Sequence, residues 1–312
     1  MSQNKKVTQI NKAVHILSSG GICAIPTETV YGLAADATNS DAVAKIYALK
    51  NRPTFNPLIV HVSSIDQAIE FAQISTDHQT ICSYFWDKNL PLTVVMPLRD
   101  NHKISPLATA GLNTIAVRKP SHPIALDIIN RVGLIAAPSA NQSKHISPTS
   151  ADHVRKSFGD NAPYIVDGGP CTVGLESTIL DLSSAKPCVL RAGGVTTEDL
   201  DTYFKMPLSI ASETIKAPGM MKKHYSPGCP VILNAKTIKP GDILLGFGPN
   251  TPECATLNLS PTGNLTEAAT NLFDALYKLE AMKPNRILIS PIPMIGLGIA
   301  INDRISRAAS HD

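Results

Sequence analysis

The sequence predicts an α/β protein in two units, residues 1–205 and 231–312, joined by a linker at 206–230. Three observations carry this. Short apolar runs alternate with segments of helical period along the first 200 residues, the pattern of a sheet covered by helices. The pattern breaks in "MPLSIASETIKAPGMMKKHYSPGCP", where four prolines and two glycines leave no sustained period. It then resumes, which predicts a smaller Rossmann-like unit at the C-terminal end.

Taken in order, "GGICAIP" reads as strand and "DAVAKIYALK" as helix, with apolar residues at 42, 43, 46 and 49. "LIVHV", "TVVMPL" and "NTIAVR" are strands, "PIALDIINRV" is a helix, "GLIAAP" a strand and "TSADHVRKSF" a helix. "YIVDGG", "STILDL" and "CVLRAGG" follow closely, which suggests that some of their pairing is antiparallel. Beyond the linker, "PVILNA" and "GDILLGFG" are strands, "NLTEAATNLFDALYKLEAM" a helix, "RILISPIP" a strand and "AINDRISRAA" a helix. "GFGPN" lacks the third glycine of GxGxxG and a helix directly behind it, so this unit has no dinucleotide fingerprint.

A hydrophobic share of 43% and a charged share of 17% belong to a globular protein. The net charge of +3 gives no broad polyanion surface, although a local basic pocket is compatible with it. Six scattered cysteines with no CxxC pair indicate neither zinc nor a disulfide framework. The start, "MSQNKKVTQINKA", lacks the apolar core of a secretory signal, and no apolar run reaches membrane-span length. The expected location is the cytoplasm.

Residues 24–62 read strand, polar loop, helix, polar loop, strand, which puts the two loops at one sheet edge as in a βαβ unit. The first loop offers Thr27, Glu28, Thr29 and Tyr31. The second offers Lys50, Arg52 and Asn56, held extended by Pro53 and Pro57, and His61 lies in the strand beyond. Plainer roles stand beside these. Basic residues at a helix end complement the macrodipole, Thr27 or Glu28 can cap a turn, and a lone strand histidine is more often core than functional.

Three further loops add polar groups at strand ends. Arg118 ends "NTIAVR". "APSANQSKHISPTSADHV" carries Ser139 and Asn141, with Ser147 or Thr149 available to cap the helix near Ser150. In "VDGGPCTVGLESTIL" the glycine amides can form an anion nest before Ser177 and Thr178. Arg191 ends "CVLR". Together Lys50, Arg52, Arg118 and Arg191, with short hydroxyls, suit a ligand bearing phosphate and carboxylate. No P-loop, HExxH spacing or GxSxG elbow is present.

The motifs "PTETVYGL", "KNRPTFNPLIVHV", "AVRKPSHPIA", "APSANQSKHISPTSADHV", "DGGPCTVGLESTIL" and "LRAGG", in that order, resemble the threonylcarbamoyl-AMP synthases with a YrdC-like domain. "APGMMKKHYSP" and "GLGIAINDRISRAA" extend the resemblance to the long, two-domain form. It implies a twisted mixed sheet with a concave ligand surface. It also implies synthesis of threonylcarbamoyl-adenylate from L-threonine, bicarbonate and ATP with release of pyrophosphate. A separate tRNA threonylcarbamoyl transferase would use the product to modify the adenosine beside the anticodon.

By motif, threonine recognition falls to Thr29, His61, Arg118, Ser139 and Ser177. ATP falls to Arg52, Asn56, Thr114, Asn141, Thr149 and Arg191, and Tyr225 of a linker lid folds back over the nucleotide. Lys50 and Arg52 would act at the phosphates with a magnesium ion carried by ATP, for which no protein ligands are identified. No membrane and no stable nucleic-acid contact is expected. The chain departs from the family at "FWDKNLPLT" (usually W-P-G-P-L-T), at "RAGG" (R-P-G-G) and at "SKHISPT" (SGRPSPT). Two rivals are an RNA-binding module, for which no stacking aromatics of the RRM kind are present, and a hydrogenase-maturation carbamoyltransferase, whose zinc-finger cysteine pairs are missing.

Overall fold

The apolar runs of the first 200 residues become strands of one sheet, and the segments of helical period cover it. The computed structural model describes residues 3–210, 224–233, 235 and 237–310. Helix α1 (Gln3–Ser18) leads to β1 (Cys23–Ile25), β2 (Gly32–Asp36), α2 (Ser40–Lys50), β3 (Ile59–His61), α3 (Ile65–Ile69), α4 (Thr76–Trp86) and β4 (Leu92–Pro97). Next come α5 (Pro106–Thr109), β5 (Thr114–Arg118), α6 (Pro123–Val132), β6 (Ile135–Ala136), α7 (Ala151–Phe158), β7 (Tyr164–Ile165) and β8 (Thr178–Asp181). β9 (Cys188–Arg191), α8 (Thr197–Phe204) and β10 (Ser209–Ile210) follow. The ten strands form one mixed sheet in the order β10-β9-β8-β4-β5-β3-β6-β2-β1-β7.

Successive strand residues face opposite sides, and the two sides are covered differently. Val60, Val94, Val117 and Leu180 face a core shared with Ile46 of α2 and Phe85 of α4. On the other side, Ile10 and Leu17 of α1 and Ile128 of α6 pack over Cys23, Ile25, Ala34 and Ile135. They cover only the β1-β2-β6 part. The adjoining part of that face carries a small cluster of Ile59, Val95, Ala116, Ile179 and Leu190.

The C-terminal unit meets this molecule through a common core. Its strands β11 (Val231–Leu233), β12 (Asp242–Gly246), β13 (Leu257–Asn258) and β14 (Arg286–Ile289) form a parallel sheet in the order β11-β14-β12-β13. Helices α9 (Leu265–Ala281) and α10 (Leu297–Ala309) pack on it. Leu272 and Phe273 of α9 and Ile301 of α10 share one cluster with Val30, Ile146 and Leu175 of the first unit. Each such side chain withdrawn from water stabilises the docking by about 1.5–3 kcal/mol.

Several details differ from the sequence reading. β2 lies inside what reads as polar loop, so β1 and β2 form an antiparallel hairpin. β2 and β3 each run antiparallel to β6 between them. They are therefore parallel to one another, and the loops that enter them still share an edge. α1, α3, α4, α5 and α8 are additional helices. Ser209 and Ile210, assigned to the linker, pair with β9. Of the expected lid, residues 211–223 lie outside the described residues.

Candidate active site

Strand register builds the centre of the site. His61 of β3 pairs with Arg118 of β5, Arg118 with Thr93 of β4, Thr93 with Ile179 of β8, and Ile179 with Arg191 of β9. Directly opposed residues share a face. The row therefore sets His61, Arg118, Thr93 and Arg191 side by side above the small apolar cluster. Ser177, just before β8, hydrogen-bonds its hydroxyl to Thr93 Oγ1 at 2.7 Å. Arg191 donates through Nη2 to the Ser177 carbonyl at 2.8 Å.

His61, Arg118, Ser177 and Arg191 line a small cavity of about 40 Å³ together with Arg52, Ser139, Glu176, His224 and Tyr225. A second cavity of about 280 Å³ is lined by Lys50, Arg52, Asn56, Lys144 and His145 among others. Arg52 and His224 line both. The rival RNA surface has no support in this placement, because Arg52, Arg118 and Arg191 are each at most 9% exposed and buried cations cannot track a nucleic-acid backbone. A larger open cleft near Glu70, His78 and Arg99 holds none of the expected site residues.

Local chemistry fixes Arg52 and Lys50. Asn39 caps the start of α2 by accepting from the amides of Asp41 and Ala42. Asn51 ends the helix in the left-handed conformation at φ 49°, which asparagine tolerates better than most residues. Arg52 then donates to the carbonyls of Asn56 (3.1 Å) and Pro57 (2.9 Å). Lys50 turns inward, and its ammonium donates to the carbonyls of Ser139, at 2.6 Å, and Asn141. It borders the second cavity while bracing the "APSAN" loop, a role the sequence reading did not contain.

The polar residues of "PTETVYGL" each have a structural duty. Thr27 Oγ1 accepts from the amides of Thr29 (3.2 Å) and Val30 (3.3 Å), closing the hairpin tip. Glu28 pairs with Arg118 at 2.5 Å and accepts from the Ser121 amide. Tyr31 donates to the Gly169 carbonyl at 2.7 Å and accepts from the Gly168 amide at 3.1 Å. That corrects the anion-nest expectation: the Gly168 amide is taken by Tyr31 and the Gly169 amide by Asp167. Gly174, at φ +77°, abuts α9, where a Cβ would come within 2.4 Å of Thr270 Cα.

Arg191 and Tyr225, expected at ATP, border the first cavity and not the second, and four other expected ligand residues border neither. Thr29 precedes the lining residue Val30, and its hydroxyl lies 2.9 Å from that of Thr27. Thr114 starts β5, two residues before Ala116, which pairs with Ile59. Asn141 spends its side-chain amide on the carbonyls of Gln142 (2.9 Å) and His145 (2.8 Å). Thr149 donates its backbone amide to His153 Nδ1 at 3.2 Å. Neither Ser147 nor Thr149 caps α7: Ser150 does, while Ser147 donates to Glu176 at 2.6 Å.

The departures from family motifs are accommodated. Trp86 donates to the Leu92 carbonyl at 2.9 Å, and Asn89 adopts φ 59° to close the turn before β4. In "RAGG", a Cβ on Gly193 would meet the Glu176 carbonyl oxygen at 2.4 Å. Glycine is therefore required where the two walls touch. The sequence reading missed His224, adjacent to Tyr225, and gave Glu28 and Glu176 no site role. Tyr225 is fully buried at φ 64°, its ring 5.5 Å from Phe273 and its hydroxyl without a partner among the described residues. The segment is tied down by a β-bridge between Ser226 and His145.

Burial sets the protonation of the site. Desolvation, then Arg118, lowers the His61 pKa from 6.5 to about 3. Desolvation likewise lowers His153 to about 4 against the opposing pull of Asp274, and His224 to about 3. His61 is thus neutral at pH 7, with Nδ1 unpartnered among the described residues. The unfolded chain binds protons below pH 6.5 that these rings refuse, so stability is complete above 6.5 and is lost as pH falls toward about 4. Each fully buried ring should cost about 2 kcal/mol between pH 6.5 and 5. We expect a clearly lower melting temperature at pH 5 than at pH 7.5; equal values would contradict neutral burial.

Similarity to known proteins agrees with this architecture. A family model described as "Telomere recombination" matches residues 15–193, and one described as "Threonylcarbamoyl-AMP synthase, C-terminal domain" matches 195–310. The threonylcarbamoyl-AMP synthase of Bacillus subtilis is 36% identical, covering 96% of this chain and 93% of its own. The chain belongs to the threonylcarbamoyl-AMP synthase family. Another family member, from Pyrococcus abyssi, is 35% identical over 97% of this chain and 94% of its own. The crystal structure of P. abyssi Sua5 complexed with L-threonine superposes with a TM-score of 0.86 at 33% identity, covering 96% of this chain and 94% of that one. Full-length HypF shares the fold alone, at 18% identity and a TM-score of 0.53 over 60% of this chain and 29% of its own.

Proposed function

We propose that this synthase-family chain binds L-threonine in the cavity over the His61–Arg118 row and ATP in the cavity beside Lys50 and Asn56. It joins them with bicarbonate into threonylcarbamoyl-AMP and releases pyrophosphate. The observation that carries this reading is that Arg52 and His224 border both cavities, so the reacting ends of two ligands would meet there. The P. abyssi relative solved with L-threonine supports the amino-acid half. The second cavity, at about 280 Å³, lies at the lower edge of the small-molecule pocket range.

Arg118 supports carboxylate recognition because Glu28 engages Nη2 while Nε has no partner among the described residues. An arginine fork can hold two carboxylates at once. Neutral His61 and the hydroxyls of Ser139 and Ser177 can read the hydroxyl of threonine. The reaction then needs no protein nucleophile. The threonine amine adds to bicarbonate to give a carbamate with loss of water. A carbamate oxygen attacks the α-phosphorus of ATP in line, and pyrophosphate departs with the electrons of the broken P–O bond. Arg52 and Arg191 supply fixed positive charge to the developing anion, and positioning supplies the remainder.

Among the described residues no group of three His, Cys, Asp or Glu side chains could hold a metal ion. A magnesium ion would arrive with the phosphates of ATP, and no step is assigned to it. No helix of the described chain is long and apolar enough to cross a membrane. A cytoplasmic location, and delivery of the adenylate to a tRNA threonylcarbamoyl transferase, complete the reading. Its test is pyrophosphate release that depends on threonine, bicarbonate and ATP together.

A further inference from the structure

Arg304 of α10 has no part in the chemistry above, yet it is the largest fully buried side chain of the described residues. Its donors reach three places. Nε donates to Glu176 Oε2 at 2.8 Å, Nη2 to the Ala192 carbonyl at 2.9 Å and Nη1 to Asp303 at 2.6 Å. Its Cζ lies 5.1 Å from the centroid of the Tyr225 ring. Glu176 adjoins Ser177, Ala192 adjoins Arg191, and Tyr225 itself borders the first cavity. One guanidinium from the C-terminal unit therefore grips three separate segments of the threonine site.

Stability does not explain an arginine here. Burying an ion pair sacrifices hydration that pairing barely recovers, and an apolar side chain of similar volume often packs as well. A planar fork with fixed donor angles does something an apolar residue cannot: it sets the distance between a carboxylate and a carbonyl. Burial pushes the Glu176 carboxyl up, but Arg304, Arg191 and Ser147 outweigh it and hold its pKa at about 2, so the pair is charged at neutral pH.

We propose that Arg304 is a positioning residue through which the C-terminal unit fixes the spacing of Glu176–Ser177, Arg191–Ala192 and Tyr225 around bound threonine. This rests on the reading of that cavity as the threonine site. Lysine at 304 keeps a charge for Glu176 but has no fork for the Ala192 carbonyl, so it separates charge pairing from geometry. Arg304→Lys should melt near the wild-type temperature while threonine KM rises about tenfold and kcat at saturating threonine changes much less. Arg304→Met should raise KM at least as far.

Wild-type threonine KM in folded Arg304→Lys overturns the proposal. So does a KM that follows melting temperature in strict proportion across the variants, because that marks a structural role. Should the single variants melt below assay temperature, Glu176→Gln/Arg304→Gln removes both charges together and is held to the same two outcomes. Wild-type protein that releases no pyrophosphate in response to threonine overturns the site reading and this proposal together. A threonine-dependent wild type with unaltered variants overturns this proposal alone.

Discussion

Arg118→Ala is expected to lower kcat/KM for L-threonine by about 10²- to 10³-fold, the loss typical of truncating one partner of a buried charged pair. ATP affinity should change little, since Arg118 borders the first cavity and not the second. The substitution also strands the buried carboxylate of Glu28, whose partner lies 2.5 Å away, so part of any activity loss can come from destabilisation. The companion Glu28→Gln/Arg118→Ala removes that complication. Titration of both ligands into the double variant should still show threonine binding lost and ATP binding kept. Equal loss of the two contradicts the assignment of Arg118 to the carboxylate.

Arg52→Ala should affect both substrates and, above all, turnover. Arg52 borders both cavities, and burial, opposed by Tyr47, lowers its pKa to about 10, so it stays cationic at neutral pH. Removing a preorganised donor at developing charge costs about 10²- to 10³-fold in kcat. Its bonds to the Asn56 and Pro57 carbonyls also hold the loop that leads into β3. Arg52→Lys keeps a charge but cannot reproduce both bonds, so it should recover only part of the loss. Steady-state kinetics that show a change confined to KM for ATP would place Arg52 at the nucleotide alone.

The strand cores were legible because their periodicity is local. "LTVVMP" and "TIAVR" announce β4 and β5 through runs of branched side chains, and the five polar loops at strand ends marked the site. β2 was not legible because "GLAAD" is short, small and placed directly behind a polar tip. α8 carried a readable signal, the capping box from Thr196 to Asp199. Long-range pairs carry no such signal. Glu28 meets Arg118 across 90 residues and Glu176 meets Arg304 across 128, and only the fold brings them together. The inward turn of Lys50 is of the same kind, because the carbonyls that capture it belong to the segment 139–141.

Pyrophosphate release by the purified protein, with threonine, bicarbonate and ATP each withheld in turn, decides whether the two cavities form one synthase site. Release is expected only when all three are present, with none above background when any one is missing. Release from ATP that continues undiminished without threonine, or no release from the complete mixture, would contradict a single synthase site.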